Sequence, residues 1–326
     1  MNLVKACYKI LERDTTCKQL IERVARVCYK SEGLIKEGSA DKLVSKLIER
    51  KHYAMLEHAT LIYEFDNENY HALQAHLEML QQNEDANYKP YLRFTNINRR
   101  YIVSGNVRAW MEFVEGWENT HGNTLPGYML TIINDSEGLL PSPSCYIGMY
   151  HPVIHRLKVE QLTEEEKWIH EDVTVEFTVD RGVTHEMVRH RDASFAQEST
   201  RYCNYTNDKF DGNVKFLDIE RGIQMDDYMS DLEGGNIVAI IMLWYKAMQQ
   251  AEDNYKQLIS LGASPQIARS VLPSSTASTI VITANLREWH HFFELRADKH
   301  AHPQMQEVAY PLLVDFIYKY GETFKR

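Results

Sequence analysis

The densest cluster of chemically capable side chains is Arg189-His190-Arg191, followed by Ser194, Ser199 and Arg201. Arginine presents a planar fork of donors that matches phosphate bidentately, and hydroxyls with loop N–H groups complete an anion nest. The segment reads either as an anion site or as the solvated basic end of a helix, where cations are favoured. A second set lies further on: Asn285, Arg287, His290, His291, Arg296, His300 and His302. On a helix of about 3.6 residues per turn, Asn285, Arg296 and His300 fall near one stripe, with Trp289 and Phe292 on the same side. That stripe suits a planar heteroaromatic ligand with an anionic tail, or an interhelical packing face with satisfied histidines. Ser264-Pro265 is a good helix start, which puts Arg269 one turn in, as an anion ligand or an ordinary surface arginine.

Other chemistries are weaker. His185-Glu186 and His190 resemble a zinc motif, but the histidines stand at i,i+5, and two ligands on one helix face need i,i+4. No metal site is expected. Five cysteines, at 7, 17, 28, 145 and 203, contain no CxxC spacing. Cys203 follows Arg201-Tyr202, a setting that could activate a thiol, yet unpaired cysteines are more often buried fillers. There is no GxGxxG, Walker loop or GxSxG, so a Rossmann dinucleotide site is not expected.

The elements that must position these groups follow from periodicity. Helices are expected over 16–30, 40–50, 69–83, 106–117, 163–171, 183–191 and 236–260, with further helices filling 285–322 and a break near Pro303. Strands are expected at 56–65, 98–105, 172–179, 214–219 and 278–284. Residues 118–145, rich in Gly, Pro, Ser and Asn, read as loop. No internal repeat is visible. The mixture without a strict βαβ rhythm indicates α+β, a mixed or antiparallel sheet flanked by helices. It reads as a single catalytic domain over 1–326 with an elaborated middle at about 67–170.

Composition bounds the function. The chain has 326 residues, 44% hydrophobic and 25% charged, with a net charge of −10. This excludes wholesale disorder, collagen and coiled coil, and does not suit a general nucleic-acid or membrane binder. No apolar run approaches the ~18 residues of a membrane span. The cysteine pattern and the charged first residues point to free thiols in the cytoplasm.

RHRDASFAQESTRY (189–202) resembles the signature of the flavin-dependent thymidylate synthases: RHR, two residues, Ser, four residues, Ser, one residue, Arg. All fixed positions match. Leu56-Glu57-His58 resembles the family's F-E-H strand start, RGVTHEMV (181–188) the lead into the signature, and ARSVLP (268–273) its ARxVLP segment. NLREWHHFFELRADKHAHPQM (285–305) resembles its carboxy-terminal segment. The matches cover roughly 56–65 and 172–310 in the family's order.

The resemblance implies that dUMP is converted to dTMP, with methylenetetrahydrofolate as carbon donor and FAD, reduced by NADPH, as hydride carrier. It implies no cysteine nucleophile and a homotetramer with shared sites. Carried over position by position, His58, Arg189, His190, Arg191, Gln197, Asn285, Arg287, His291 and His300 lie along FAD. Glu186, Gln197, Glu198, Ser199, Arg201, Arg269 and Arg296 hold dUMP. Arg296 stabilises charge developing on the uracil, and His58 sits at the flavin and folate face, as the catalytic pair. Departures from the pattern are Ala196 and Gln197, where many members carry Asn and Glu, and His291 and His302-Pro303 in place of Asn and Gln. The stretch between His58 and Arg189 is also much longer than in compact members. The other readings are a non-catalytic flavin- or nucleotide-binding relative and, against the spacing above, a zinc hydrolase. Joint retention of Arg189, Ser199, Arg201, Arg269 and Arg296 favours the enzyme.

Overall fold

The computed structural model describes residues 1–11, 16–82, 91–121, 124–141, 154–226, 229 and 234–324. The strands of the described residues, in chain order, are β1 (Asn2–Val4), β2 (Cys7–Ile10), β3 (Thr60–Phe65), β4 (Arg93–Ile97), β5 (Arg100–Asn106), β6 (His155–Arg156), β7 (Asp172–Asp180), β8 (Ser194–Gln197), β9 (Lys215–Leu217) and β10 (Ala277–Asn285). The α-helices described are α1 (Cys17–Val27), α2 (Ser39–Glu49), α3 (Asn67–Gln82), α4 (Val107–His121), α5 (Gly127–Asp135), α6 (Glu164–His170), α7 (Arg181–Met187), α8 (Glu220–Met225), α9 (Gly234–Ser260), α10 (Pro265–Ala268), α11 (Leu286–Arg296) and α12 (Pro303–Tyr320).

The site-bearing sheet has the order β2-β7-β10-β8, all antiparallel. β7 alternates as its sequence requires, burying Val173, Val175, Phe177 and Val179. β10 is buried along its whole length because both faces are covered. One face packs on Trp289 and Phe292 of α11 and Leu312 and Phe316 of α12. The other packs Val281 and Ala196 against Val24 and Val27 of α1.

A second antiparallel sheet, β4-β5-β3-β6, carries α3, α4 and α5, with Leu73, Trp110, Phe113 and Met129 in its core. β4 and β5 are joined by Asn98 and Arg99, both at positive φ (52° and 65°), a backbone that matches the twist of a tight hairpin. Gly105 on β5 leaves room for Leu92, since a Cβ there would lie 2.4 Å from Leu92 Cδ2 and force that side chain to shift. A short parallel pair, β1 with β9, and the long α9 complete the fold. The inner end of α9 packs Met248 and Tyr255 on Tyr205 and Phe216, while Val238, Met242 and Leu243 near its start are exposed.

The α+β class holds, with antiparallel sheets flanked by helices. Several boundaries move for physical reasons. Residues 53–58 form a 3-10 turn, so the strand expected at 56 begins at Thr60. The loop expected over 118–145 contains the end of α4 and all of α5, because Tyr128, Leu130 and Ile133 are buried against the second sheet. Residues 142–145 of that stretch, Cys145 included, lie outside the described residues. The helix expected to reach Arg191 stops at Met187. The stripe Asn285–Arg296–His300 is not one helix face: Asn285 caps α11, which ends at Arg296, and Trp289 and Phe292 are core. The middle segment expected at about 67–170 packs with Ile21, Val44, Leu56 and Leu61 into one core, and its strands β4, β5 and β6 form the second sheet together with β3.

Candidate active site

The signature straddles a helix end and an edge strand. Asp180 Oδ1 accepts the Val183 N–H at 2.7 Å and starts α7. The helix closes when the N–H groups of Arg189 and His190 return to the carbonyls of Glu186 and Met187. Arg189 and Arg191 are therefore left exposed while His190 turns inward. His190 rests on the edge of Phe292, its ring centre 5.4 Å from that of His291 and its Nε2 4.0 Å from Glu288. Burial, reinforced by His291, lowers its pKa. The strand β8 then pairs Ser194 with Thr283 and Gln197 with Ile280.

At this end of the sheet lies a cavity of about 370 Å³. Arg191, Ser194, Asn285 and Glu288 line one side, and Glu57, Tyr91, Arg93 and Asn106 line the other. Asn285 Oδ1 accepts the Glu288 N–H at 2.8 Å, fixing the strand-to-helix corner. Arg93 grips Asp172 bidentately at 2.6 and 2.8 Å. Arg287 Nε lies 3.1 Å from Glu288 Oε1. A larger cavity of about 500 Å³ beside Cys28, Leu47 and Met55 contains none of the signature residues. The chemistry therefore selects the smaller one.

Beyond β8 the chain builds a polar loop against α1. The Ser199 N–H donates to the Cys28 carbonyl at 3.0 Å, and Ser199 Oγ accepts the Arg201 N–H. Arg269 Nη1 donates to Thr200 Oγ1 at 3.1 Å, which holds Arg269 against the turn that carries Ser199 and Arg201. Gln197 Nε2 donates to Thr184 and Ser278 hydroxyls. Glu198 is buried, accepting from Tyr205 Oη at 2.8 Å and facing Lys30 at 3.3 Å.

Arg296, at the end of α11, reaches α7: Nη2 donates to the Glu186 carbonyl at 2.8 Å, and Nη1 lies 3.8 Å from Glu186 Oε2. Its Nε and His190 Nε2 are buried with no hydrogen-bond partner among the described residues. His300 pairs with Asp298 in the exposed turn after α11, and His291 with Glu294 on the helix surface. His58 is 1% exposed and lies behind the cavity wall, with Nδ1 2.7 Å from Thr283 Oγ1. Burial lowers its pKa to about 4. Cys203 is buried, and burial with Glu198 raises its pKa to about 11. Among the described residues no group of three or more His, Cys, Asp or Glu side chains could hold a metal ion. Among the described residues no helix is long and apolar enough to cross a membrane.

Sequence reasoning missed Tyr91, Arg93, Asn106, Asp172 and Glu288 in this cavity. One signal was available: Asn106-Val-Arg-Ala-Trp repeats the spacing of Asn285-Leu-Arg-Glu-Trp.

Comparison with known proteins agrees with the signature. Residues 161–317 match the family model described as thymidylate synthase complementing protein. A flavin-dependent thymidylate synthase from Pyrococcus abyssi is 34% identical over 146 residues, 44% of this chain and 54% of that protein. The one from Geobacter sulfurreducens is 30% identical over 139 residues, 41% and 51% respectively. The chain thus spans about half the length of the curated relatives it matches. A crystal structure of the UMP/dUMP methylase PolB from Streptomyces cacaoi bound with 5-Br dUMP aligns over 98% of this chain and 93% of that one, with a TM-score of 0.43 and 16% identity. The family these sequence matches support is that of the flavin-dependent thymidylate synthases, and its recognisable segment is the carboxy-terminal half of the chain.

Proposed function

We propose that the protein is a flavin-dependent thymidylate synthase acting in the cytoplasm, converting dUMP to dTMP with methylenetetrahydrofolate as carbon donor and NADPH as reductant. The observation that carries the reading is that Arg191 and Ser194 of the signature line one cavity with Asn285 at the end of the β2-β7-β10-β8 sheet, while His190 Nε2 and Arg296 Nε are buried with no hydrogen-bond partner among the described residues. Donors left unpartnered in a cleft are costly unless a ligand completes them. That supports a fit to a flavin nucleotide along Arg189, His190, Arg191, Gln197, Asn285, Arg287, His291 and His300.

Bound there, FAD would supply hydride chemistry that no side chain has. The chain's own residues bind and orient. Ser199, Arg201 and Arg269 offer hydroxyl and guanidinium donors to the dUMP phosphate and sugar, with Gln197 and Glu198 shaping the loop. Arg296, held by Glu186, places fixed positive charge where charge develops on the uracil. His58 acts from behind the wall by holding Thr283. No cysteine is needed as nucleophile. Self-assembly into a homotetramer with shared sites accords with the exposed apolar start of α9.

The test is dTMP formation from dUMP, methylenetetrahydrofolate and NADPH, with and without added FAD. FAD-dependent product is expected. Bound flavin with no dTMP under any reductant would overturn the synthase in favour of a non-catalytic relative.

A further inference from the structure

The two sheets are built alike. Their orders, β4-β5-β3-β6 and β8-β10-β7-β2, correspond strand for strand, and every pair is antiparallel. Thr60 pairs with Asn106 as Asp172 pairs with Asn285, and Arg93 pairs with Ser104 as Ser194 pairs with Thr283. Asn106 Oδ1 caps α4 through the Ala109 N–H at 2.8 Å, as Asn285 caps α11 at 2.8 Å. Trp110 Nε1 donates to the Leu61 carbonyl, and Trp289 Nε1 to that of Val173. Asp66 caps α3 as Asp180 caps α7. The segment YIVSGNVRAWMEFVEGW (101–117) shares Asn, Arg, Trp, Phe and Glu in register with IVITANLREWHHFFELR (280–296).

The relation between the halves is reciprocal. Strand β2 precedes every other strand of the two four-stranded sheets yet joins the later sheet, while β6, just before the later half, joins the earlier one. The Leu11 N–H donates to the Thr174 carbonyl and the Leu157 N–H to that of Ile62, both at 2.8 Å. His58 Nδ1 lies 2.7 Å from Thr283 Oγ1, and His170 Nδ1 lies 2.7 Å from Ser104 Oγ. His58 and His170 hold the same place two residues before their strand partners of Asn106 and Asn285. Contacts of the form i to j and j to i, with exchanged strands, are those of a two-fold dimer.

The halves differ where the chemistry is. In the later half β8 and β10 are separated by the excursion that carries Ser199, Arg201 and Arg269, whereas Asn98 and Arg99 alone join β4 to β5. Arg296 corresponds to Trp117. We propose that the chain is a tandem fusion of two copies of one unit, and that the earlier copy is a built-in partner supplying Tyr91, Arg93 and Asn106 to a single flavin-nucleotide site per chain. The cavity already spans both copies. Arg93 clamps Asp172 across the boundary, and Tyr91 lines the cavity opposite Asn285 and Glu288. The ligand assignment rests on the proposed function; the fusion does not.

Two measurements on the full chain separate these parts. In a fluorescence titration with FAD, wild type binds one equivalent per chain. Tyr91→Ala, an exposed position that keeps the fold, and Arg191→Ala each weaken binding about tenfold, the effect of a lost polar contact. Two equivalents per chain, or wild-type affinity in Tyr91→Ala beside a weakened Arg191→Ala, overturns the shared site. Absence of FAD binding in the wild type sinks the flavin reading itself and leaves the fusion to the second measurement. In native hydrogen exchange, the Leu11 and Leu157 amides are protected in step with β7 and β3. Unprotected exchange at either, with its partner strand protected, overturns the exchanged-strand fusion.

Discussion

The guanidinium of Arg296 donates from Nη2 to the main-chain carbonyl of Glu186 at 2.8 Å, tying the end of α11 to the last turn of α7. A cation fixed by a backbone acceptor needs little reorganisation when charge appears nearby, which is the condition for electrostatic catalysis. Its Nε is buried with no hydrogen-bond partner among the described residues.

Arg296→Ala is expected to retain bound flavin, read by visible absorbance, and to lose roughly a hundredfold or more in dTMP formation, the scale seen when a preorganised donor is removed. Wild-type turnover in this variant would remove Arg296 from its assigned role.

Cys203→Ala is expected to remain active. With its pKa raised to about 11 the thiol is protonated at neutral pH, so it is a poor nucleophile. The stability loss is about 1 kcal/mol, the usual scale for a modest buried truncation. A folded, flavin-loaded but inactive variant would restore the thiol to the mechanism.

Acid should destabilise the protein through two histidines. Burial lowers the pKa of His58 to about 4 and of His170 to about 3, the latter helped by Arg93. The unfolded chain takes up these protons near the ordinary histidine value of about 6.5, so it binds more protons than the folded one between that value and the folded pKa. Stability is full above about pH 6.5 and falls as pH drops towards 4, by about 3 kcal/mol for His58. Urea denaturation from pH 7.5 to 4.5 reads this. His58→Gln should flatten the slope in proportion, and an unchanged slope would contradict the neutral buried state.

The matched tryptophans offer a stability test. Trp110→Phe and Trp289→Phe each remove an indole donor and leave a buried carbonyl without it, at a cost of about 1–3 kcal/mol. Trp289 has the shorter bond, 3.0 against 3.3 Å, so its loss should be the greater. Urea transitions followed by circular dichroism compare them. A large effect in one and none in the other would show that the two corners do not bear equivalent load.

The sequence by itself carried the family signature and most elements. The signature was legible because an anion site needs arginines and hydroxyls at fixed short spacing, and those spacings survive within 189–201. Strands such as β7 were legible because alternation with period two follows from the pleat. The tertiary structure alone decided the rest. Helix α5 hides behind Gly and Pro because its apolar face is recognised only once the second sheet exists to cover it. His58, matched by motif, is placed behind Thr283 rather than in the cavity because the turn before β3 directs it into the seam between the sheets. The cavity's far wall could not be read, since Tyr91, Arg93 and Asn106 gain meaning only when the fold sets them opposite residues of the later sheet, as Arg93 meets Asp172 79 residues on. The repeat escaped notice for a related reason. Its two copies differ by a long excursion in one and a two-residue turn in the other, so register and hydrogen bonding preserve what linear spacing has lost.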